Sequence, residues 1–366
     1  MKSKQRLKKV STSPRYRASI ANISASVWLA ALPATALQEA VGHVELDPVF
    51  NVANGSWQWR TYWYDDDLNP RTDPVDTLCF PGPDSAPAEY GVRNTRPADP
   101  NWDFLGMAPE EPVWIFSSGS YSSVGFAATQ TELSGNLAIT LHSVTGPAGG
   151  VFSMFSGSAP VIQMQTIDGI SGADVFQKPE NHSHVNWAFS RKGLWIVRLK
   201  AQGLLASSGA ATPVSQPASL VFAIGDQARW KAANFNLAEL SATEISGDAA
   251  DPDGDGWNNL MEYALGGDPK SSSILRAEDG QPLAPRLLAP VASGLPWRLS
   301  YYRKVVADEA ALEYEVESSP TLNAASWTTE TGVEQVLSSS GAWEQVGIPL
   351  AGPQAGCFFR LKISTP

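Results

Sequence analysis

Asp251-Pro252-Asp253-Gly254-Asp255-Gly256-Trp257-Asn258-Asn259-Leu260-Met261-Glu262 has the spacing of a complete calcium loop. Carboxylates fall at positions 1, 3 and 5, glycine at 6, a side-chain oxygen at 9 and glutamate at 12. Calcium is a hard cation that takes six to eight oxygens, and this spacing wraps a chain around one ion. Asp251, Asp253, Asp255, Asn259 and Glu262 are the expected side-chain ligands, with Trp257 giving its backbone carbonyl. Gly256 supplies the sharp turn that a residue without Cβ takes at least cost. Ser246–Ala250 is a poor end for an entering helix, and no second loop pairs with this one. The pattern therefore suits a structural staple rather than a sensor hand.

A second set of ligand-type residues is scattered along the chain. Three of the four histidines fall in two short motifs, His43-Val44-Glu45 and His182-Ser183-His184-Val185-Asn186. On a strand, residues i and i+2 point to one face. His43 thus shares a face with Glu45, and His182 with His184 and Asn186. If the two segments meet, three imidazoles and a carboxylate converge, a set that suits Zn²⁺ or Mn²⁺. The plain reading is that these are polar strand-end positions, as His142 is. Asn186 or a backbone carbonyl is expected to orient one of the rings.

The elements that must position these groups read as mainly β. Residues 37–225 carry short alternating runs with turn signals every ten or so residues, the pattern of an antiparallel β-sandwich. One run, Trp57-Gln58-Trp59-Arg60-Thr61-Tyr62-Trp63-Tyr64, fits two arrangements. Its aromatics either fill a core on one side or form a sugar-stacking platform. Residues 226–270 read as a helical connector around the calcium loop. Its first helix is expected over Asp226–Ser241, with Trp230, Ala233, Leu237 and Leu240 on one face, and its second from about Asn258 to Leu265. Residues 271–296, rich in Ser and Pro, read as a linker, and 297–366 as a small C-terminal β-sandwich with clean alternation at Leu312–Glu317 and Phe359–Ile363.

The 366 residues are enough for two domains and their connections. Residues 1–36 read as a signal peptide, with basic residues up to Arg17, an apolar stretch from Ile23, and Ala34-Thr35-Ala36 before the cleavage point. The segment contains seven of the 26 Lys and Arg residues, so the mature chain balances 19 cations against 37 anions, near −18. Such a polyanion repels nucleic acid and anionic lipid and tolerates divalent cations. No stretch of the mature chain has the length and apolarity of a membrane span. Two cysteines, Cys79 and Cys357, leave the fold to its hydrophobic cores. No catalytic triad order, phosphate loop or CxxC announces an enzyme.

The segments Gly42–Glu45, Trp102–Gly106, Pro112–Ile115, Gly125-Phe126, Val144–Pro147, His182–Phe189 and Leu220–Gly225 occur in that order. Together they resemble the bacterial surface domain called choice-of-anchor M, a repeat also seen in actinobacterial wall proteins associated with metal-type ABC transporters. The resemblance covers Gly42 to Gly225, with Glu45 standing where an aspartate is expected. The remainder, from Trp230 and Phe235 through the calcium loop to Phe358–Leu361, resembles the tail of Verrucomicrobia-type exported proteins. These resemblances imply an extracellular or cell-surface binding protein, with a transporter system or surface components as partners and a role in metal acquisition. A secreted metal-dependent hydrolase and a glycan-binding adhesin are the competing readings.

Overall fold

A computed structural model describes residues 35–64, 69–82, 92–117, 122–276, 279–305, 312–350 and 356–365. The expected signal peptide lies outside these residues, apart from its last two positions. The described chain is mainly β, as the alternating runs require.

Three sheets build the first module. A six-stranded sheet runs in the order Gln38–Glu39, Leu78–Gly82, Ala218–Ile224, Gly193–Leu205, Leu133–Thr145, Val175–Lys178. A five-stranded sheet follows Val161–Gln165, Phe152–Ser156, Asn186–Phe189, Pro112–Phe116, Arg93–Thr95. A second five-stranded sheet follows Ser183–His184, Ser123–Phe126, His43–Asn51, Ser56–Tyr64, Pro70–Pro74. Their inward faces share one core in which Phe222 meets Phe80, Phe116, Trp187 and Phe189. Each such aromatic removes a large apolar area from water, and their offset and tilted contacts add to it.

Most pairings are antiparallel, with exceptions that matter. Leu78–Gly82 runs parallel to both Gln38–Glu39 and Ala218–Ile224, and His43–Asn51 runs parallel to Ser123–Phe126. These join segments distant in sequence, whereas turn signals report only hairpins.

The aromatic run Trp57–Tyr64 resolves in favour of the core. Trp59 and Trp63 are buried and Trp57 partly so, all on one face of Ser56–Tyr64. Their indole N–H groups donate to Pro213 O, Ser215 Oγ and Asp73 Oδ2. Only Tyr62 and Tyr64 remain exposed, with the Arg60 guanidinium over the Tyr62 ring. The tryptophan face of this strand serves the core.

The connector differs from expectation at its first helix. Asp226–Asn234 stops at Phe235, which is extended, and a new four-residue helix, Leu237–Leu240, starts under an Asn236/Glu239 capping box. The Asn236 cap competes with helix continuation, so one periodic pattern is split in two. Ala228 and Ala232 are buried in place of Ala233. The second helix, Asn259–Leu265, forms as expected, capped by Asn258 and closed by Gly266 in the left-handed region.

Residues 271–296 are not a free linker. Arg286–Leu288 forms the edge of a four-stranded sheet with Arg298–Lys304, Trp343–Pro349 and Gln335–Ser340. Leu283 lies in the core of the C-terminal module, and the Arg276 guanidinium is stacked 3.9 Å from Trp343 and 4.7 Å from Tyr302. Polar composition hid these few anchors. A three-stranded sheet, Thr328–Thr329, Glu313–Ser319, Phe358–Ser364, completes the module. Tyr263, Ala264 and Leu265 of the second helix belong to this core, and Tyr314 Oη donates to Ala264 O at 3.0 Å. Cys79 and Cys357 are both free thiols.

Candidate metal centres

The parallel pairing of His43–Asn51 with Ser123–Phe126, and the antiparallel pairing of Ser183–His184 on its other side, set the first site. Glu45 stands opposite Gly125, and Gly125 opposite His184, one row across three strands. Gly125 has no side chain, so Glu45 and His184 reach each other above it. A Cβ at Gly125 would lie 3.0 Å from His184 Nδ1 and 3.1 Å from Ser183 O.

The strand pairings bring the two sequence motifs together, and the three imidazoles and the carboxylate converge. His43, Glu45, His182 and His184 each offer one ligand atom, all within 4.8 Å of one another. His43 Nε2 and His182 Nε2 both contact Glu45 Oε1, the latter at 2.5 Å, and His184 Nε2 lies 3.9 Å from it. His43 and His182 are about half exposed, at 48% and 49% of their side-chain surface, so the cluster opens to solvent. Glu45 Oε2 and His184 Nδ1 are buried without a hydrogen-bond partner. Orphaned buried atoms of ligand type are costly unless something binds them. The donor set suits a borderline cation such as Zn²⁺ or Mn²⁺.

Electrostatics distinguish the rings. The hydrogen bond to Glu45 raises the His43 pKa above that of a free imidazole, and burial lowers that of His184. Metal ligation takes the neutral ring, so protons compete harder at His43 than at His184.

The supporting groups differ from expectation. His43 Nδ1 lies 2.9 Å from Ser123 Oγ, which leaves Nε2 facing the cluster. Asn186 does not orient a ring. Val185 is the point where the chain leaves one sheet for another, so His184 and Asn186 belong to different sheets. The i, i+2 rule holds only within a continuous strand. Lys178, fully buried, donates to Thr129 Oγ1 at 2.9 Å and to Pro179 O at 2.7 Å, with Asn181 O at 3.5 Å. It thereby fixes the turn ahead of His182. Burial pulls its pKa down to about 8. Sequence reading missed Ser123, Gly125 and Lys178 as parts of this site. A glycine inside a strand, which often marks close approach of another group, was the one available signal.

The second site is the Asp251–Glu262 loop. Asp251, Asp253 and Asp255 bring their carboxylates within 4.8 Å of one another. Asp251 accepts the backbone N–H of Gly254 and of Gly256, both at 2.9 Å. Asp253 Oδ1 accepts from Asp255 N and Asp255 Oδ1 from Trp257 N. Gly256 takes φ of 97°, in the region that favours glycine. One oxygen each of Asp253, Asp255, Asn259 and Glu262 is buried and unpartnered. Asn259 Nδ2 donates to Ile245 O and Gly247 O, both at 2.8 Å, which leaves only its Oδ1 free. Trp257 packs its ring against the C-terminal core.

Glu262 is 1% exposed. Burial, reinforced by Asp253, Asp255, Asp268 and Asp251, pushes its pKa up to about 8. Carboxylates gathered this way repel one another, and a divalent cation reverses that sign. The oxygen-only donor set fits calcium. Asp268, beyond the twelve-residue pattern, adds to the negative field.

Neither the models of known families nor the curated proteins include a match to this chain.

Proposed function

We propose that this chain is an exported, cell-surface or secreted metal-binding protein. In this reading His43, Glu45, His182 and His184 hold a transition metal, and Asp251, Asp253, Asp255, Trp257, Asn259 and Glu262 hold a structural calcium. The observation that carries it is the convergence of the three imidazoles and Glu45 across three strands, with two of their polar atoms buried and unpartnered. A polar strand end in ordinary use does not gather three of a chain's four histidines at one point. Export rests on the basic-then-apolar N-terminal sequence, and the surface role on the sequence resemblance. A metal-uptake transporter system or other surface component is the partner class that follows.

The test is metal analysis after dialysis against Zn²⁺ or Mn²⁺, comparing wild type with His182→Ala/His184→Ala. The double variant should lose the transition metal, keep its calcium and stay folded, because the core under the site is apolar. Equal transition-metal content in both proteins would sink the assignment. Intact-mass analysis from a secreting host tests export, with a chain starting near Leu37 expected.

The solvent-open face left by half-exposed His43 and His182 favours one second reading, a metal-dependent hydrolase. That reading also needs a general base. The neighbouring acid Asp47 is held by Arg60 at 2.6 Å.

A further inference from the structure

A cavity lies on the outer face of the sheet that carries Asn186–Phe189. Trp187 and Phe189 point into the core, so Asn186 and Ala188 face outward. The turn Pro100–Leu105 covers part of that face, packing Phe104 and Leu105 on Val113, Phe155 and Ala188. Beside it remains a cavity of about 370 Å³, with Trp102, Phe155, Asn94, Asn186, Ser117 and Ser158 on its walls.

The aromatic wall is fixed in place. Asp99 caps the turn by accepting from Asn101 N, Ser153 Oγ donates to Phe104 O at 3.1 Å, and buried Arg96 pairs with Asp103. Trp102 sits 5.9 Å from Phe104 and 5.5 Å from Phe155, ring to ring, with part of its surface left uncovered. The side-chain amide of Asn186 makes no hydrogen bond among the described residues, so two donors and an acceptor face the space. Asn94 Nδ2 donates to Val92 O at 2.7 Å, which orients its amide. No carboxylate or cation lines the cavity among the described residues.

We infer that this cavity is a binding site for a neutral carbohydrate of one or two pyranose rings. The C–H face of a pyranose matches a partly exposed indole. Its vicinal hydroxyls match an amide that offers donor and acceptor side by side. With no charged side chain among the described lining residues, the wall offers no partner to uronic acids or to amino sugars with a free ammonium, and a charged group without a partner stays in water. The volume lies in the range of small-ligand sites. The site is separate from the buried Trp59 and Trp63, and it uses none of the metal ligands.

The test uses the full chain with cellobiose, maltose, lactose and N,N′-diacetylchitobiose, with glucuronic acid as charged control. Saturation-transfer NMR and tryptophan fluorescence report binding. At least one neutral disaccharide should bind in the millimolar range and more tightly than glucuronic acid. Asn186→Ala, an outward position that leaves the core intact, should weaken it about tenfold or more, and Trp102→Phe should weaken it less than Trp102→Ala. No binding of any neutral disaccharide at about 20 mM, a concentration above ordinary weak affinities, would overturn the inference. So would binding that is unchanged in folded Asn186→Ala, or preference for the charged control.

Discussion

The two candidate metal centres solve one problem in opposite ways. The Asp251–Glu262 loop draws its donors from twelve consecutive residues, and its backbone N–H groups hold the carboxylates in place. The histidine cluster draws on His43 and Glu45 at one end of the module and His182 and His184 near the other, and strand pairing holds it. The loop buries Glu262 completely, while the cluster leaves two rings half exposed. Asp251 is exposed and Asp253 and Asp255 are half-buried, so the contrast in burial rests on Glu262 alone. Local spacing and backbone N–H groups organise the first set of donors, whereas sheet register organises the second.

The largest expected effect is at Glu262. Loss of a supporting group commonly costs 10–100-fold in metal affinity, so loss of this ligand in Glu262→Ala should cost roughly 100-fold or more. Calorimetric titration with calcium measures it. The variant should also loosen the C-terminal module, because Tyr263, Ala264 and Leu265 anchor there. Unchanged affinity would remove the loop from the list of real sites and erase the contrast.

The pH dependence sharpens the same contrast. With calcium chelated, Glu262 has a folded-state pKa of about 8, above its ordinary 4.5, so the folded chain holds more protons than the unfolded one between these values. Its contribution is therefore favourable below about pH 4.5 and is lost as pH rises through about 8. The chelated protein should melt at lower temperature as pH climbs through that window, and saturating calcium should remove the fall. Glu262→Gln should flatten the profile without calcium. A calcium-free wild type with a flat profile would contradict this. At the histidine site the sign is opposite: zinc affinity should fall as pH drops, starting above the ordinary imidazole pKa of about 6.5, because His43 is raised.

Gly125→Ala probes the row of three strands. Its Cβ would press on His184 and Ser183 O, so zinc affinity should drop about tenfold while calcium affinity stays unchanged. Equal losses at both metals would mean a general folding defect. Ser123→Ala should give the smallest change, no more than about tenfold in zinc affinity, by freeing the Nδ1 side of His43. An effect as large as that of the double histidine variant would make Ser123 a ligand rather than a support.

The sequence determined a good deal here, for a physical reason. Period-two alternation registers burial on one face, so the mainly β fold and the burial of Val316 and Leu361 could be read directly. The Asp251–Glu262 segment is a local motif, so the clustering of its three aspartates and its turn glycine follow from spacing, and its exit helix carries its own cap and stop. The i, i+2 rule placed His43 with Glu45 and His182 with His184. Only tertiary structure brought those pairs together, because a parallel pairing between segments 80 residues apart leaves no local trace. It also decided that Val185 turns Asn186 away, that Trp59 and Trp63 go inward, and that Arg276 and Leu283 tie residues 271–296 to a core. Each of these depends on what lies across a sheet or on the opposing layer. Adjacent residues constrain backbone and spacing, whereas burial and partnership are settled by groups far away in the chain.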